Sequence, residues 1–304
     1  MLRQLFIALS ASRRMRAVAE RSAIGLRVSS RFVAGTTVEA GVATTRAVNA
    51  VGMSVTLDHL GENVTNPEEA RASAQSYHEM LDAIHANGLN ANVSCKLTHL
   101  GLDVDETLCR ELVCALVTHA ARNGSFVRVD MEGSPYTQRT VDLVRDLHRT
   151  ADDAVGTVIQ SYLRRSQADV EQLCAEGIRI RLVKGAYKEP PDIAFAKKSE
   201  VDASFQRLTK FLLKSGQYHA IATHDERIIE DTICFAGKEK IPHEAFEFQM
   251  LHGVRRDLQQ QLVREGWRVR VYVPFGTEWY PYFMRRLAER PANVWFIAKN
   301  FFRA

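Results

Sequence analysis

Charged and hydrogen-bonding residues end several short, apolar, β-rich runs of this 304-residue sequence. Burying a charge is costly unless the group is paired or binds a ligand. An internal salt bridge explains any one of these residues as well as a site does. Their repetition at one end of successive runs favours a site for acid–base chemistry or electrostatic stabilisation. The residues are Asp58, His59, Lys96, Thr98, Asp130, Glu132, Gln160, Arg181, Lys184, Thr223, His224, Asp225, Gln249, His252 and Tyr272.

The runs that carry these residues alternate with longer stretches of helical period, a pattern typical of consecutive βα units on a parallel sheet. Successive runs begin roughly thirty residues apart, so eight units fill the roughly 250 residues of a TIM-type barrel. The predicted strands are Ser54–Leu60, Asn90–Leu97, Phe126–Met131, Val155–Tyr162, Ile178–Lys184, Tyr218–His224, Phe246–Leu251 and Arg268–Val273. Glycines expected at or near helix C-caps are Gly88, Gly124, Gly177, Gly216 and Gly266.

The predicted fold is therefore α/β, a (β/α)8 TIM-type barrel with an N-terminal helical extension. We expect residues 51–304 to form the barrel and residues 1–50 to form a helical segment that packs on it. A doubly wound open sheet is the alternative, but no predicted strand is followed by the GxGxxG fingerprint of a dinucleotide-binding domain. In a barrel the carboxyl ends of the strands meet at one mouth, where the polar residues would converge.

The composition narrows the function classes. Hydrophobic residues make up 46% of the chain and charged residues 25%, and the formal net charge of +4 is spread over mixed signs. This balance gives no support to nucleic-acid binding. Five scattered cysteines without a CxxC pair indicate free thiols, and no metal site is predicted. The apolar stretch Leu5–Leu9 is far shorter than the roughly 20 residues of a membrane span.

The amino end is strongly basic, with seven arginines and the single acid Glu20 between Met1 and Val38. A solvated helix packed on the barrel is the favoured interpretation. A face that contacts anionic lipid and a transit peptide are the alternatives. We accordingly expect a cytoplasmic protein, with peripheral contact to the inner face of the membrane as one alternative and the mitochondrial matrix as a less favoured one.

Two segments are specific enough to indicate a family. They are Arg181-Leu-Val-Lys-Gly-Ala-Tyr187 and the segment from Tyr272 through Val-Pro-Phe-Gly276 and Trp279-Tyr-Pro-Tyr282 to Asn293. Further matches, in the family's order, are Arg31-Phe-Val-Ala-Gly35, Thr56-Leu-Asp-His-Leu-Gly-Glu62, Ser94-Cys-Lys-Leu-Thr98, Val129-Asp-Met-Glu132, Ala222-Thr-His-Asp225 and Glu247-Phe-Gln-Met-Leu-His-Gly253. Through these segments the chain resembles the monofunctional, FAD-dependent proline dehydrogenases over nearly its whole length.

The resemblance implies a cofactor, a substrate and a place in metabolism. FAD would lie across the barrel mouth and accept a hydride from C5 of L-proline, giving Δ1-pyrroline-5-carboxylate in the first step of proline catabolism. The electrons are expected to pass to a quinone. The product is expected to pass to a separate pyrroline-5-carboxylate dehydrogenase.

The same resemblance assigns residues to the substrate pocket. Arg285 and Arg286 match arginines that bind the substrate carboxylate, a role suited to two guanidinium forks. Tyr272 and Tyr282 match aromatic residues that line the pocket, although a purely structural role for either is the alternative. Lys96 matches the lysine beside the substrate amine.

The resemblance also implies catalytic and flavin-binding residues. Asp130 matches the catalytic acid and follows the strand next to that of Lys96, so we expect the two side chains to interact. A buried lysine there could have a lowered pKa and so tolerate or accept the proton of the proline ammonium, and the sequence leaves open which group takes that proton. Arg181 matches the catalytic arginine near flavin N5, where a fixed positive charge favours the reduced, anionic flavin. The flavin-binding matches are Met131, Gln160, Arg181, Lys184, Gly185, Ala186, Thr223, His224 and Glu289.

Three other functions fit parts of the pattern. A class I aldolase on the same barrel would use Lys96 or Lys184 as its Schiff-base nucleophile. An inactive barrel kept as a binding protein is disfavoured, because the lysine, aspartate and arginines that match the family are all present. A metal hydrolase would have to use histidines without HxH or HExxH spacing. These are His59, His99, His224 and His252.

Overall fold

The computed structural model describes residues 29–289 without a break, together with Met15, Ala19, Ser22 and Gly25, but not the side chains of residues 152 and 285–289. In this part of the chain eight parallel strands form a closed barrel in sequence order. The predicted (β/α)8 barrel is therefore confirmed. Most of the basic amino-terminal segment lies outside the described residues, and the division into 1–50 and 51–304 stays a prediction.

The strands and helices follow one another as the sequence predicts. The strands are β1 (Ser54–His59), β2 (Ala91–Cys95), β3 (Val127–Val129), β4 (Val155–Gln160), β5 (Arg179–Val183), β6 (His219–Ala222), β7 (Phe246–Leu251) and β8 (Val269–Phe275). The described helices are α1 (Val38–Asn49), α2 (Pro67–Ala86), α3 (Glu106–Arg122), α4 (Ser134–Ala151), α5 (Ser166–Ala175), α6 (Lys198–Lys214), α7 (Glu226–Lys238), α8 (Arg256–Arg264) and α9 (Trp279–Glu289). Helix α1 precedes the barrel, and each later helix follows the strand whose number is one lower.

Turn chemistry sets the ends of the helices. The five glycines expected near helix C-caps all have positive φ, between 58° and 87°, which is the left-handed conformation that glycine adopts without strain. At the amino ends, the side chain of Asn66 caps α2 by accepting from the Glu69 amide, and that of Asp105 caps α3 through Thr107 and Leu108. The helices therefore stop where parallel strands can begin.

The apolar core lies between the strands and the helices. Outward-facing residues of the strands, such as Leu57, Val93 and Leu182, are fully buried beneath helix residues such as Tyr77 and Phe205. The alternate positions on the same strands are often polar. Because side chains alternate across a strand, these positions face the barrel axis.

Polar contacts cross the interior of the barrel. Arg181 on β5 donates to Asp130 after β3, and Tyr272 on β8 donates to the same carboxylate, although none of these strands are neighbours. Such bonds can only run through the barrel interior. The sequence therefore forms an apolar layer between the strands and the helices. Inside the barrel it forms a hydrogen-bonded network that extends to the carboxyl ends of the strands.

Within the described residues, no helix combines the length and the apolar character that a membrane crossing requires.

Candidate active site

Asp130 is the centre of a buried network at the carboxyl ends of the strands. Its Oδ1 accepts hydrogen bonds from Arg181 Nη1 at 2.7 Å and from Ser94 Oγ at 2.7 Å. Its Oδ2 accepts from the Tyr272 hydroxyl at 3.0 Å. The Arg181 guanidinium also lies 5.3 Å from the centroid of the Tyr272 ring. Charge-assisted bonds of this kind fix the orientation of the arginine and the tyrosine.

The Tyr272 hydroxyl keeps its proton in this network. Burial and the negative charge of Asp130 raise the pKa of Tyr272 far above its ordinary value. The phenol is therefore a donor to Asp130 at every physiological pH.

Lys96 is paired with a carboxylate other than the one expected. Its Nζ lies 3.5 Å from Oδ2 of Asp58, a residue of β1 that is 1% exposed. The predicted direct contact between Lys96 and Asp130 is wrong, because Asp130 is engaged by Arg181. Strand β2 has neighbours on both sides, and the Lys96 side chain extends toward β1 instead of β3.

This pairing also reverses the expected direction of the Lys96 pKa shift. Burial lowers the pKa of Lys96, but the carboxylates of Asp58, Glu62 and Asp130 outweigh burial, and the net shift is upward. The ammonium group therefore stays charged. It contributes a positive charge to the cavity wall.

A cavity of about 720 Å³ opens above this network at the carboxyl ends of the strands. It is lined by eleven of the fifteen residues that the sequence assigns to the site. These are Lys96, Asp130, Met131, Gln160, Arg181, Lys184, Gly185, Ala186, Thr223, His224 and Tyr272. A cavity of this size, with a mainly apolar surface and several convergent charged groups, is the expected form of a small-molecule or cofactor site.

The loop after β5 forms one wall of the cavity. Gly185 has φ +121°, and a Cβ at this position would lie 2.3 Å from the Tyr162 ring, so only glycine fits. Gln160 fixes the loop from β4, because its Oε1 accepts from the Ala186 amide at 3.3 Å and its Nε2 donates to the Glu132 carbonyl. The Gly-Ala pair is thus held with its backbone along the cavity.

Lys184 and His224 are fixed by residues outside the predicted set. Lys184 Nζ lies 2.6 Å from Oδ1 of Asp202 and 2.9 Å from Oδ2 of Asp225. His224 Nε2 accepts a hydrogen bond from the Leu251 amide at 2.9 Å, which assigns the proton of the neutral ring to Nδ1. Both side chains are therefore oriented before any ligand binds.

The four remaining predicted residues belong to helix α9. Tyr282 does not line the cavity; it packs in a second apolar cluster with Phe32, Leu60, Trp279 and Phe283. Arg285, Arg286 and Glu289 continue the same helix, and their side chains lie outside the described residues. Their expected roles stay predictions.

Sequence reasoning missed several residues that organise the site. Asp58 is a polar strand end without a predicted role, Ser94 is only the first residue of a matched motif, and Asp202 is absent from the predicted site. Each of these residues acts by holding another side chain in place. A comparison with the ligand-binding positions of a family therefore does not identify such residues. The signal for Asp58 is an ionisable residue within an apolar strand, which needs a partner.

Among the described residues, no group of three or more His, Cys, Asp or Glu side chains is arranged to hold a metal ion.

Fold and site together define a class of protein. A closed (β/α)8 barrel with a cavity lined by ion-paired side chains at the carboxyl ends of its strands is the architecture of a TIM-barrel enzyme. Comparison with known proteins narrows the class. Residues 42–299 match the family model described as "Proline dehydrogenase".

Named relatives agree with this match. The chain is 41% identical to "Proline dehydrogenase 1" of Bacillus subtilis over 301 residues, which cover 99% of each chain. It is 41% identical to "Proline dehydrogenase" of Deinococcus radiodurans over 90% of this chain and 89% of the relative. The chain belongs to the proline dehydrogenase family. It is an oxidoreductase of the first step of proline catabolism.

A solved structure shows the same fold. The crystal structure of proline utilization A (PutA) from Bdellovibrio bacteriovorus, inactivated by N-propargylglycine, superposes with a TM-score of 0.82 at 26% identity. The match covers 87% of this chain and 33% of that protein, so this chain spans about a third of its length. The barrel described here corresponds to one part of the larger protein.

Proposed function

We propose that this enzyme oxidises L-proline to Δ1-pyrroline-5-carboxylate with FAD as its cofactor. One observation carries the proposal. The Asp130–Arg181–Tyr272 network and Lys96 face the same cavity as the loop that holds Gly185 and Ala186. Residues matched to substrate chemistry and residues matched to flavin binding therefore share a single space.

The residues present fit a flavin. Arg181 is 4% exposed, and its Nε and Nη2 are buried without a hydrogen-bond partner among the described residues. Two buried guanidinium donors call for an acceptor group, because an unmade hydrogen bond at a buried charge is costly. The acceptor-rich edge of an isoalloxazine ring would meet this requirement, and Gln160, Lys184, Thr223 and His224 would hold the rest of the cofactor.

When bound, FAD would supply the redox chemistry by accepting a hydride from C5 of proline. The protein would bind and orient the cofactor and the substrate and would polarise the reacting groups. Asp130 and Ser94 hold the Arg181 guanidinium in place, so its positive charge is preorganised where negative charge develops. Tyr272, fixed by the same carboxylate, presents its ring to the cavity as an apolar wall for the methylenes of proline.

The substrate carboxylate would be bound by Arg285 and Arg286 of helix α9, with Tyr282 on the same helix. The Lys96 ammonium keeps its proton beside Asp58, so the proton of the proline ammonium goes to another acceptor. We infer that Lys96 lowers the affinity for the protonated amine and favours the neutral form that can lose a hydride.

The aldolase alternative is less compatible with this geometry. A Schiff-base lysine must be neutral to attack a carbonyl. Lys96 is paired with Asp58, and Lys184 is paired with Asp202 and Asp225. Both amines are thus engaged by carboxylates and are not free to attack a carbonyl carbon.

The proposal extends to the partners. We propose a quinone as the electron acceptor and a separate pyrroline-5-carboxylate dehydrogenase as the next enzyme. We also propose that the protein is cytoplasmic and that its basic amino-terminal segment contacts anionic lipid at the membrane surface. This contact predicts salt-sensitive binding to vesicles of anionic lipid, and absence of binding at every salt concentration would reject it.

Product analysis tests the proposed reaction. We expect the purified enzyme to convert L-proline to a product two hydrogens lighter, identified by mass spectrometry, while a soluble quinone is reduced. We also expect N-propargylglycine, a secondary amine with a carboxylate, to cause time-dependent inactivation that L-proline slows. Turnover of proline without loss of two hydrogens, or a borohydride-sensitive adduct on Lys96 or Lys184, would overturn the proposal.

A further inference from the structure

A cluster of arginines occupies the opposite, amino-terminal end of the barrel. Arg270 on β8 donates to Glu247 on β7 at 2.8 and 3.0 Å, and Arg179 on β5 lies 3.0 Å from the exposed carboxylate of Asp153. Arg128 on β3 is 4% exposed, and no aspartate or glutamate among the described residues forms an ion pair with it. The cluster therefore contains a buried positive charge without a countercharge in contact.

The hydrogen bonds of Arg128 use one side of its guanidinium. Nη1 donates to the carbonyl oxygens of Thr157 at 3.0 Å and Arg179 at 2.6 Å. Gly156 provides the space, since a Cβ there would lie 2.9 Å from Nη1. Nε is buried and has no partner among the described residues. The edge formed by Nε and Nη2, which suits a bidentate contact with an oxyanion, is left over.

The other neighbours of Arg128 do not neutralise its charge. Its guanidinium lies 4.7 Å from the Phe126 ring centroid, but that of Arg179 lies 5.2 Å from the same centroid, so two cations share one aromatic ring. Glu247 is nearby, yet Arg270, Gln249 and Tyr218 already donate to its two oxygens. Burial and the charge of Arg181 lower the pKa of Arg128, as expected for a cation that lacks a countercharge.

A cavity of about 500 Å³ lies beside these groups. Its lining includes Arg128, Arg179 and Arg270 as well as Asn92 and Ser125. The Ser125 hydroxyl is buried and has no hydrogen-bond partner among the described residues. Three guanidinium groups, one amide and one hydroxyl thus surround a space that is larger than a water molecule requires, and the carboxylates of Asp153 and Glu247, paired with Arg179 and Arg270, also line it.

We propose that this cavity binds a small inorganic oxyanion of the size of phosphate or sulfate, held by the Nε and Nη2 edge of Arg128. The ion would complete the hydrogen bonding of Arg128 and Ser125 and would balance the charge of the cluster. The site lies at the opposite end of the barrel from the catalytic cavity. Its role is to stabilise the fold, and it does not depend on the proposed redox function.

Thermal unfolding in the presence of anions tests the proposal. The protein is titrated with sodium phosphate and, in parallel, sodium sulfate, each against sodium chloride at matched ionic strength. A ligand that binds only the folded state raises Tm with its concentration, by about 3–6 °C once it exceeds Kd a hundredfold. We expect a saturable rise for phosphate, sulfate or both beyond the rise with chloride.

Variants assign the effect to the site. Arg128→Met should abolish the anion-specific rise in Tm, and Arg128→Lys, which keeps the charge but loses the fork, should weaken it. Arg164 is a matched control, because it also donates to a carbonyl oxygen and lies over a ring, that of Phe195, but is exposed. Arg164→Met should leave the rise unchanged.

Crystals soaked in selenate keep the proposal testable if Arg128→Met does not fold. Anomalous density beside the Arg128 guanidinium of the unaltered protein would support the site. Absence of that density, or a Tm that responds equally to all salts at matched ionic strength, would overturn the proposal. Arg128 would then serve only to donate hydrogen bonds to the carbonyl oxygens of neighbouring strands.

Discussion

Asp130 and Arg181 show which features of the site could be predicted from residue types alone. The sequence placed both residues at the mouth, because each ends a strand-like run and belongs to a specific motif. It did not give the pairing, since a lysine on β2 can reach toward either neighbouring strand. The choice of Asp58 by Lys96 and of Asp130 by Arg181 depends on side-chain reach across the closed barrel.

Arg181 tests the electrostatic part of the proposal. Arg181→Met should lower kcat for L-proline by about 10²–10³-fold, the usual cost of losing one preorganised charge-stabilising donor. Steady-state kinetics measure the change, and Arg164→Met serves as the control for loss of an arginine elsewhere. If Arg181→Met retained the kcat of the unaltered enzyme, the assigned role of this residue would be wrong.

Asp58 tests the inference that Lys96 works as a fixed charge. Asp58→Asn removes the nearest carboxylate, so burial should lower the pKa of Lys96. We expect kcat/KM of this variant to fall at alkaline pH, where Lys96 deprotonates. Asp58→Glu should restore the profile of the unaltered enzyme. An unchanged profile in Asp58→Asn would show that the charge of Lys96 does not depend on Asp58.

At the scale of elements, the order and type of strands and helices were predictable, while some ends were not. Strand β3 is restricted to Val127–Val129, inside the longer run that was predicted. Strand β8 continues to Phe275, because its pairing with β1 extends to His59. Closure of the barrel decides such ends, and closure joins residues about two hundred positions apart that no local pattern connects.

The loop after β5 allows a prediction at this scale. Gly185→Ala should weaken FAD binding, because the added methyl group meets the Tyr162 ring and displaces the loop that lines the cavity. Fluorescence titration of the apoprotein with FAD measures the affinity. Gly216→Ala is the matched control: it has φ +78°, but a Cβ there would meet no atom within 4 Å. It should reduce stability slightly and leave FAD affinity unchanged. Equal FAD affinities in the two variants would contradict the expected role of the loop.

The described part of the molecule has an apolar layer between its strands and helices and a polar interior inside its barrel. Polar residues at the ends of apolar strands indicated a site at one mouth, and the count of βα units indicated the barrel. What the sequence could not indicate is that the interior polar residues form two separate clusters, one at each end. Each cluster exists only because residues from non-neighbouring strands meet after the barrel closes.

Two buried histidines predict how stability depends on pH. Burial lowers the pKa of His99 and of His219 to about 3, so both are neutral in the folded protein near pH 5. In the unfolded chain they titrate at their ordinary value, about 6.5. Between these values the unfolded state binds more protons, so the free energy of unfolding rises with pH. Near pH 5 the two histidines together contribute a slope of about 3 kcal/mol per pH unit.

Urea unfolding at about pH 5.5 and about pH 7.5 measures this dependence. The free energy of unfolding should be lower at the more acidic pH, and His219→Gln should lose about half of the slope that the histidines contribute. His99→Gln should lose the other half. A slope that neither substitution changes would show that other groups govern acid sensitivity.

The proposed chemistry is tested most directly by the visible spectrum of the purified protein before and after anaerobic addition of L-proline. The proposal predicts flavin absorbance at about 450 nm that bleaches with proline, because the cofactor takes up the electrons of the substrate. A protein that stays colourless after incubation with FAD, or flavin absorbance that L-proline does not bleach, would contradict it.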